Sequence, residues 1–135
     1  MANPNIVSVT SIYGGNAGWN LSSTLTTTLM SVDGDKIVKI NSIICSNVDG
    51  TNSATLNLYI DGMGTGTNGG ADGVTTTGAN ATIYLAKTIA VPADATLVVI
   101  DKNSAFYLDE TDRLRIVCGA NSDLTYLVSG EKITD

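Results

Sequence analysis

The sequence predicts an all-β protein, an antiparallel β-sandwich or jelly-roll-like single domain of about eight strands. Thr, Ser and Asn supply 41 of the 135 residues, a composition rich in strand and turn formers and poor in helix formers. Apolar and polar residues alternate at period two, most strictly over Thr55–Asp61. Turn signals recur at spacings of roughly 8–14 residues without helical intervals, which is typical of a sandwich.

Turns built on Gly, Asp and Pro separate the predicted strands. Gly14-Gly15 closes the first strand, Asp33-Gly34-Asp35 is a tight turn of the kind that joins antiparallel strands, and Pro92 fixes φ in another turn. Residues 1–5 are expected to form an N-terminal arm, and residues 62–81, nearly all Gly, Thr, Asn and Ala, are expected to form a long hairpin loop. The strands are expected at Ile6–Ile12, Asn20–Val32, Lys36–Val48, Thr55–Asp61, Thr82–Val91, Ala95–Asp101, Ala105–Leu108, Arg113–Cys118 and Leu124–Ile133.

The same alternation predicts which side chains point to the core. Every second residue of a half-buried strand lies on the same face of its sheet. The inward sets are Leu21, Leu25 and Leu29, then Val38, Ile40, Ile44 and Val48, then Leu56, Leu58 and Ile60, and finally Leu114, Ile116 and Cys118.

Composition narrows the function classes. The chain has no histidine, the most frequent general acid–base residue, so a His-based catalytic triad is impossible and we expect no enzyme, no catalytic residues and no cofactor. Thirteen acids against seven bases give a net charge of −6, which disfavours binding to nucleic acid or to an anionic membrane. We also expect no secretory signal and no membrane span, because the apolar runs are short.

Acidic turns offer the oxygen ligands that calcium takes. Asp33 and Asp35 flank one glycine, Asp109 and Asp112 bracket another turn, and Asp72 follows two glycines. None of these matches a complete calcium loop, and Asp also stabilises turns by accepting from its own backbone. We therefore expect turn chemistry and no metal site, with a bound cation as the alternative.

The two cysteines, Cys45 and Cys118, are 73 residues apart. We favour buried thiols that pack as small apolar groups over a disulfide between strands. Among the aromatic residues, Tyr59 and Tyr84 lie on opposite arms of a predicted hairpin and are expected to form a cross-strand pair.

Four residues are candidates for a protein interface. Tyr13 and Trp19 flank a glycine-rich stretch, and exposed aromatic side chains often anchor protein contacts. Ile6 and Val7 belong to a short strand after a Pro-containing arm, which is suited to adding to the sheet edge of a neighbour. The low number of Lys and Pro residues that protect sheet edges predicts a homo-oligomer.

Four segments carry a resemblance to a known class of protein. Residues 2–7 (ANPNIV), 39–49 (KINSIICSNVD), 84–97 (YLAKTIAVPADATL) and 120–124 (ANSDL) resemble small virion proteins of tailed phages, cyanophages in particular. The resemblance covers most of the chain except Gly62–Ala81. It implies a symmetric β-sandwich structural subunit on the capsid exterior or near the neck, without cofactor or catalytic residues.

The resemblance and the composition of the chain together favour one function over two alternatives. We expect a capsid decoration, or cement, protein of the virion, assembled in the host cytoplasm as a homotrimer that contacts the major capsid protein. Two alternatives are a neck, collar or fibre-attachment protein and a carbohydrate-binding sandwich for host recognition.

Overall fold

The computed structural model describes residues 8–21, 24–63, 81–119 and 123–134. These ranges hold nine strands and one 3-10 turn, and none of their helices is long and apolar enough to cross a bilayer. In chain order the elements are β1 (Ser11–Asn20), β2 (Thr27–Ser31), β3 (Lys36–Asn47), β4 (Ala54–Met63), β5 (Ala81–Val91), β6 (Thr96–Ile100), the 3-10 turn Lys102–Ser104, β7 (Phe106–Leu108), β8 (Arg113–Cys118) and β9 (Leu124–Thr134).

The strands form two antiparallel sheets that pack face to face, which confirms the predicted sandwich. One sheet has the order β1-β9-β3-β6, with β7 also paired to β3, and the other has the order β2-β8-β4-β5. The strand pairs are nested along the chain, because β4 pairs β5, β3 pairs β6, β2 pairs β8 and β1 pairs β9. The predicted long loop at 62–81 connects the innermost pair, and its residues 64–80 lie outside the described ranges.

The core lies between the two sheets and is built by the strands whose alternation is clearest. On β4, Leu56, Leu58 and Ile60 are buried as predicted, since their neighbours carry the polar side chains of the outer face. The predicted inward set of β8 is also correct. The other buried members of the core cluster are Leu21, Val32, Ile40, Ile43, Cys45, Ala54, Ala86, Val91, Ile100, Leu108, Leu114, Ile116, Cys118, Leu124 and Val128.

The predicted inward face of β3 is wrong in its second half. The register of β3 against β9 shifts between Ile40 and Ser42, which leaves Asn41 as the extra residue of a β-bulge. One inserted residue reverses the alternation, so Ile43 is buried, Ile44 points outward, and Val48 beyond the strand is 54% exposed.

The first two predicted strands are displaced. β1 runs through Gly14 and Gly15, where a closing turn was expected, and nearly all of its residues are exposed. Because β1 packs little on either face, its sequence shows no period-two pattern and tolerates glycine. Leu25 lies before β2 and is 74% exposed instead of inward, whereas Leu21 is buried without belonging to a strand.

The connections that cross from one sheet to the other lie side by side in pairs, and hydrogen bonds join the two members of each pair. The turn at Asp33-Gly34-Asp35 joins β2 to β3, which belong to different sheets, so it is a corner and not the hairpin that its sequence suggests. It lies beside the corner from β7 to β8, where Thr111 N donates to Val32 O at 3.0 Å. Asp35 and Thr111 have φ of 59° and 74°, a left-handed conformation that tight corners require.

Asn47 ties together the other pair of corners, β3 to β4 and β5 to β6. Its side chain is buried, and its Nδ2 donates to Asn52 O and to Val91 O, both at 2.9 Å. Its Oδ1 accepts from Asp49 N at 2.9 Å, and its backbone N donates to Ala95 O at 2.8 Å. Both polar atoms of this buried amide group are therefore used, in three hydrogen bonds, and together with the backbone N they join the two corners.

Candidate contact surfaces

Tyr13 and Trp19, both candidates from the sequence, lie on β1 at one edge of the five-stranded sheet. They are six residues apart on an uninterrupted strand, so they share one face, and they are 62% and 71% exposed. The ammonium of Lys132 lies 5.4 Å from the centroid of the Tyr13 ring, close enough for a cation–π contact. Ile6 and Val7, the other two candidates, lie outside the described residues.

A groove of about 340 Å³ opens between β1 and β2, the adjoining edges of the two sheets. Its charged rim carries two acids and two bases, Asp33, Glu131, Lys36 and Lys132. The rest of its lining is mostly apolar side chains and backbone, with Tyr13, Gly15, Ala17, Met30, Val32 and Val128 among the lining residues.

The outward face of the five-stranded sheet carries a row of apolar side chains. Leu127 of β9 lies opposite Ile44 of β3, and Ile44 lies opposite Val98 of β6. Leu127 is 43% exposed and Val98 is 56% exposed. Cross-strand neighbours on one face are in contact distance, so these three residues form one stripe, which we call the apolar row.

Hydroxyl groups border the apolar row on both sides. Ser46 lies in register between Thr125 and Thr96, and its Oγ is 3.0 Å from Thr96 Oγ1. On the other side Ser42 lies opposite Ser129. Since these flanking positions carry no charge, a partner can cover the apolar row and its hydroxyl border without removing an ion from water.

The outer face of the four-stranded sheet carries an aromatic pair and a charged cluster. Tyr59 and Tyr84 are cross-strand partners with ring centroids 5.3 Å apart and planes tilted by 49°, which confirms the predicted pair. The ammonium of Lys87 lies 4.8 Å from the Tyr84 centroid.

The charged cluster on this face was not predicted from the sequence, because it depends on the register of β4 against β8. Arg113 Nε donates to Asp61 Oδ1 at 2.7 Å. Arg115 Nε lies 3.0 Å from Asp61 Oδ2 as an ion pair, without the alignment of a hydrogen bond. One carboxylate therefore neutralises part of the charge of two arginines, in ion pairs that remain partly exposed to water.

The acidic turns act as caps for the corners. Asp112 Oδ2 accepts from Asp109 N at 3.0 Å, and Glu110 Oε2 accepts from Asp35 N at 3.1 Å. Glu110 and Asp112 are both buried. Within the described ranges no group of three or more His, Cys, Asp or Glu side chains could hold a metal ion, and Asp72 lies outside those ranges.

Two further carboxylates are held in their charged form. The hydrogen bond from Asn52 Nδ2, followed by those from the amides of Thr51 and Asn52, lowers the pKa of Asp49. The hydrogen bond and charge of Lys36 lower the pKa of Asp33. Both aspartates lie in connections between strands, where they fix the local turn.

Cys45 and Cys118 are buried, as expected, and both are thiols. Burial, with a smaller contribution from the proximity of Cys118, raises the pKa of Cys45 to about 12. A thiol with this pKa is protonated at neutral pH, so it is a poor nucleophile and a poor metal ligand.

No protein-family model matches the chain, and no curated protein sequence matches it significantly. Among solved structures, it is similar to Bacillus endospore appendages, described as disulfide-linked pili, with a TM-score of 0.45, 17% identity, and coverage of 92% of this chain and 87% of that one. It is also similar to the Drosophila NLP core, studied for pentamer formation and histone binding, with a TM-score of 0.43, 11% identity, and coverage of 89% and 96%.

A structure of infectious bursal disease virus, Gx strain, is similar with a TM-score of 0.46 and 14% identity. That similarity covers 91% of this chain and only 31% of the viral chain. At these scores the similarities carry no information about what this chain binds.

Proposed function

We propose that this chain is a non-enzymatic structural protein of a tailed-phage virion, a capsid decoration subunit that stabilises the head. The observation that carries the proposal is the outward face of the five-stranded sheet, where the apolar row of Leu127, Ile44 and Val98 lies between uncharged hydroxyl groups. Such a face suits burial against another protein, since its apolar centre gains from leaving water and its rim can form hydrogen bonds. In this proposal the face meets the major capsid protein.

Two further observations support the virion class. The sequence segments quoted above resemble small virion proteins of tailed phages. The nested pairing of β1 with β9, β2 with β8, β3 with β6 and β4 with β5 supports a double-sheet jelly roll as part of the proposal, since that architecture recurs in viral capsid and lectin domains. Copies are expected to associate with one another on the particle, and the resemblance favours a trimer.

The proposal is tested with two valine substitutions that differ only in place. Val98→Asp puts a charge into the apolar row, whereas Val48→Asp puts one on the corner after β3, and the two valines are 56% and 54% exposed. We expect both variants to fold, as judged by circular dichroism, and only Val98→Asp to lose binding to heads that lack the protein. Equal binding by the two variants would contradict the assignment of this face.

A neck or collar protein is the alternative within the virion, and copy number separates it from a decoration protein. Quantitative mass spectrometry of purified particles gives that number relative to the major capsid protein. A decoration subunit scales with the capsid surface, whereas a neck protein is limited to one ring at a single vertex.

One observation favours a second function, carbohydrate binding. Trp19 and Tyr13 share an exposed face of β1, and Tyr13 lines the groove between the sheets. Exposed aromatic rings beside a groove can stack on sugar rings. A glycan array with the wild-type chain and Trp19→Ala tests this function: binding that disappears in the variant would favour it, and no binding would contradict it.

A further inference from the structure

We propose that β1 is a self-association edge, at which two copies of this chain pair their β1 strands antiparallel about a two-fold axis through Asn16. The pairing joins the two five-stranded sheets into one continuous sheet. This inference rests on the proposed function in one respect: a subunit that assembles on a particle needs a contact between its copies, and the β1 pairing would be that contact.

Within the described ranges, the edge of β1 shows none of the devices that normally protect a sheet edge. β1 is the terminal strand of its sheet, and its ten residues pair with β9 without a bulge. The strand contains no proline and no charged residue. A long, regular, uncharged edge offers a row of backbone N–H and C=O groups to another strand.

The residue types of β1 make it complementary to itself. From Tyr13 to Trp19 the sequence reads Y-G-G-N-A-G-W, with aromatic ends, then glycines, then small residues around a central asparagine. An antiparallel pairing centred on Asn16 places Tyr13 opposite Trp19 of the second copy and Gly15 opposite Ala17 of the second copy. A two-fold contact requires this symmetry, since each residue meets its counterpart from the same segment.

The pairing also extends contacts that exist within one copy. Tyr13 is in register with Lys132 of β9, and Trp19 is in register with Tyr126. Pairing of two copies would create two equivalent rows, each running from Lys132 to Tyr13 and on to Trp19 and Tyr126 of the second copy. Two exposed aromatic side chains of each copy would thereby lose contact with water and gain cross-strand aromatic neighbours.

Charge does not oppose this contact. β1 itself is uncharged, and the rim of the adjacent groove balances Asp33 and Glu131 with Lys36 and Lys132. The net charge of −6 therefore comes from residues outside this edge, and salt weakens the repulsion that it causes between copies. A two-fold contact is compatible with a separate three-fold one, because the two combine in a closed hexamer when their axes cross at right angles.

Disulfide cross-linking tests the axis directly. Asn16→Cys places two thiols opposite each other across the axis, whereas in Asn20→Cys the thiols are about 27 Å apart, eight strand residues at about 3.4 Å each. Both asparagines are exposed on the same strand, so the variants are matched, and the native thiols are buried. Under mild oxidation we expect a covalent dimer from Asn16→Cys and none above background from Asn20→Cys. Equal cross-linking of the two variants, or none from Asn16→Cys, would overturn the proposal.

Light scattering at micromolar concentration supplies a second measurement. We expect the wild type at twice the 13.9 kDa monomer mass, or six times if a three-fold contact is also present. Asn16→Lys opposes two like charges at the axis and should abolish the two-fold contact, while Asn103→Lys on the exposed 3-10 turn should not. A wild-type monomer, or an oligomer that Asn16→Lys leaves intact, would contradict the inference.

The self-association and the proposed function can fail separately. If Asn16→Cys cross-links but the chain is absent from phage particles, the proposed function is wrong and the β1 contact remains supported. If the chain is a monomer that binds heads, the β1 contact is wrong and the proposed function remains supported.

Discussion

Replacing Asn47 with alanine should weaken the fold more than any exposed polar substitution. The side chain of Asn47 is 3% exposed and makes three hydrogen bonds, to Asn52 O, Val91 O and Asp49 N. Alanine removes all three and leaves two carbonyl groups and one amide of the corners without this partner. At about 1 kcal/mol for each net hydrogen bond, the free energy of unfolding should fall by about 3 kcal/mol.

Urea denaturation followed by far-UV circular dichroism measures this loss. Fluorescence is a poor probe here, because the one tryptophan, Trp19, is 71% exposed and changes its surroundings little on unfolding. Asn103→Ala is the matched control and should change stability by less than about 0.5 kcal/mol, since Asn103 is exposed on the 3-10 turn. Asn57→Ala should fall between the two, because its Oδ1 accepts from Thr88 N at 2.8 Å in a more exposed place.

Asn47→Asp separates the hydrogen bonds from the loss of volume. The aspartate has nearly the same shape, but at neutral pH it places a buried negative charge against two carbonyl oxygens that now accept from the amide. This variant should be at least as unstable as Asn47→Ala at pH 7 and should recover partly at low pH, where the carboxyl group is protonated. If either variant unfolds within about 0.5 kcal/mol of the wild type, the corners do not depend on Asn47 and the reasoning is refuted.

Three other predictions address the thiols, the aromatic pair and the long loop. Cys45 and Cys118 are both buried, so both should resist alkylation in the native chain at pH 8 and react on denaturation, and rapid native labelling would contradict their burial. For Cys45, burial also raises the pKa to about 12. The fold favours the protonated Cys45, so this contribution to stability is complete below the ordinary thiol pKa of 9.0 and is lost as pH rises toward 12. A double-mutant cycle of Tyr59→Ala and Tyr84→Ala should give a coupling energy of about 0.5–1.5 kcal/mol, and additive effects would exclude a direct contact. Replacing residues 64–80 by a four-residue turn should leave the melting temperature unchanged or slightly higher, because each doubling of loop length costs only about 0.6 kcal/mol, and loss of folding would show that this segment belongs to the core.

The sequence predicts best those strands that have one face in the core and one in water. In Thr55–Asp61 and Arg113–Cys118 every second residue is buried, and burial is what selects the alternating pattern. The alternation of β3 is interrupted by the bulge at Asn41, whose position depends on the pairing with β9. No local pattern could therefore indicate that Ile44 faces outward.

The candidate surfaces could likewise be predicted only where nearby residues in the sequence identify them, and not where they depend on strand pairing. Tyr13 and Trp19 could be singled out as candidate interface residues because they flank a glycine-rich stretch, and exposed aromatic side chains often anchor protein contacts. Their common face and their place at a sheet edge follow from ten consecutive pairs with β9. The sequence does not predict the apolar row, because its members come from three strands whose register is set by the whole fold.

The position of the chain in a reconstruction of an intact phage particle that carries it tests the proposed function most directly. The proposal predicts many symmetric copies on the outside of the head, with Leu127, Ile44 and Val98 facing the major capsid protein. Density confined to the neck would instead support the alternative, a neck or collar protein. Absence of the chain from the purified particle would contradict the proposed function.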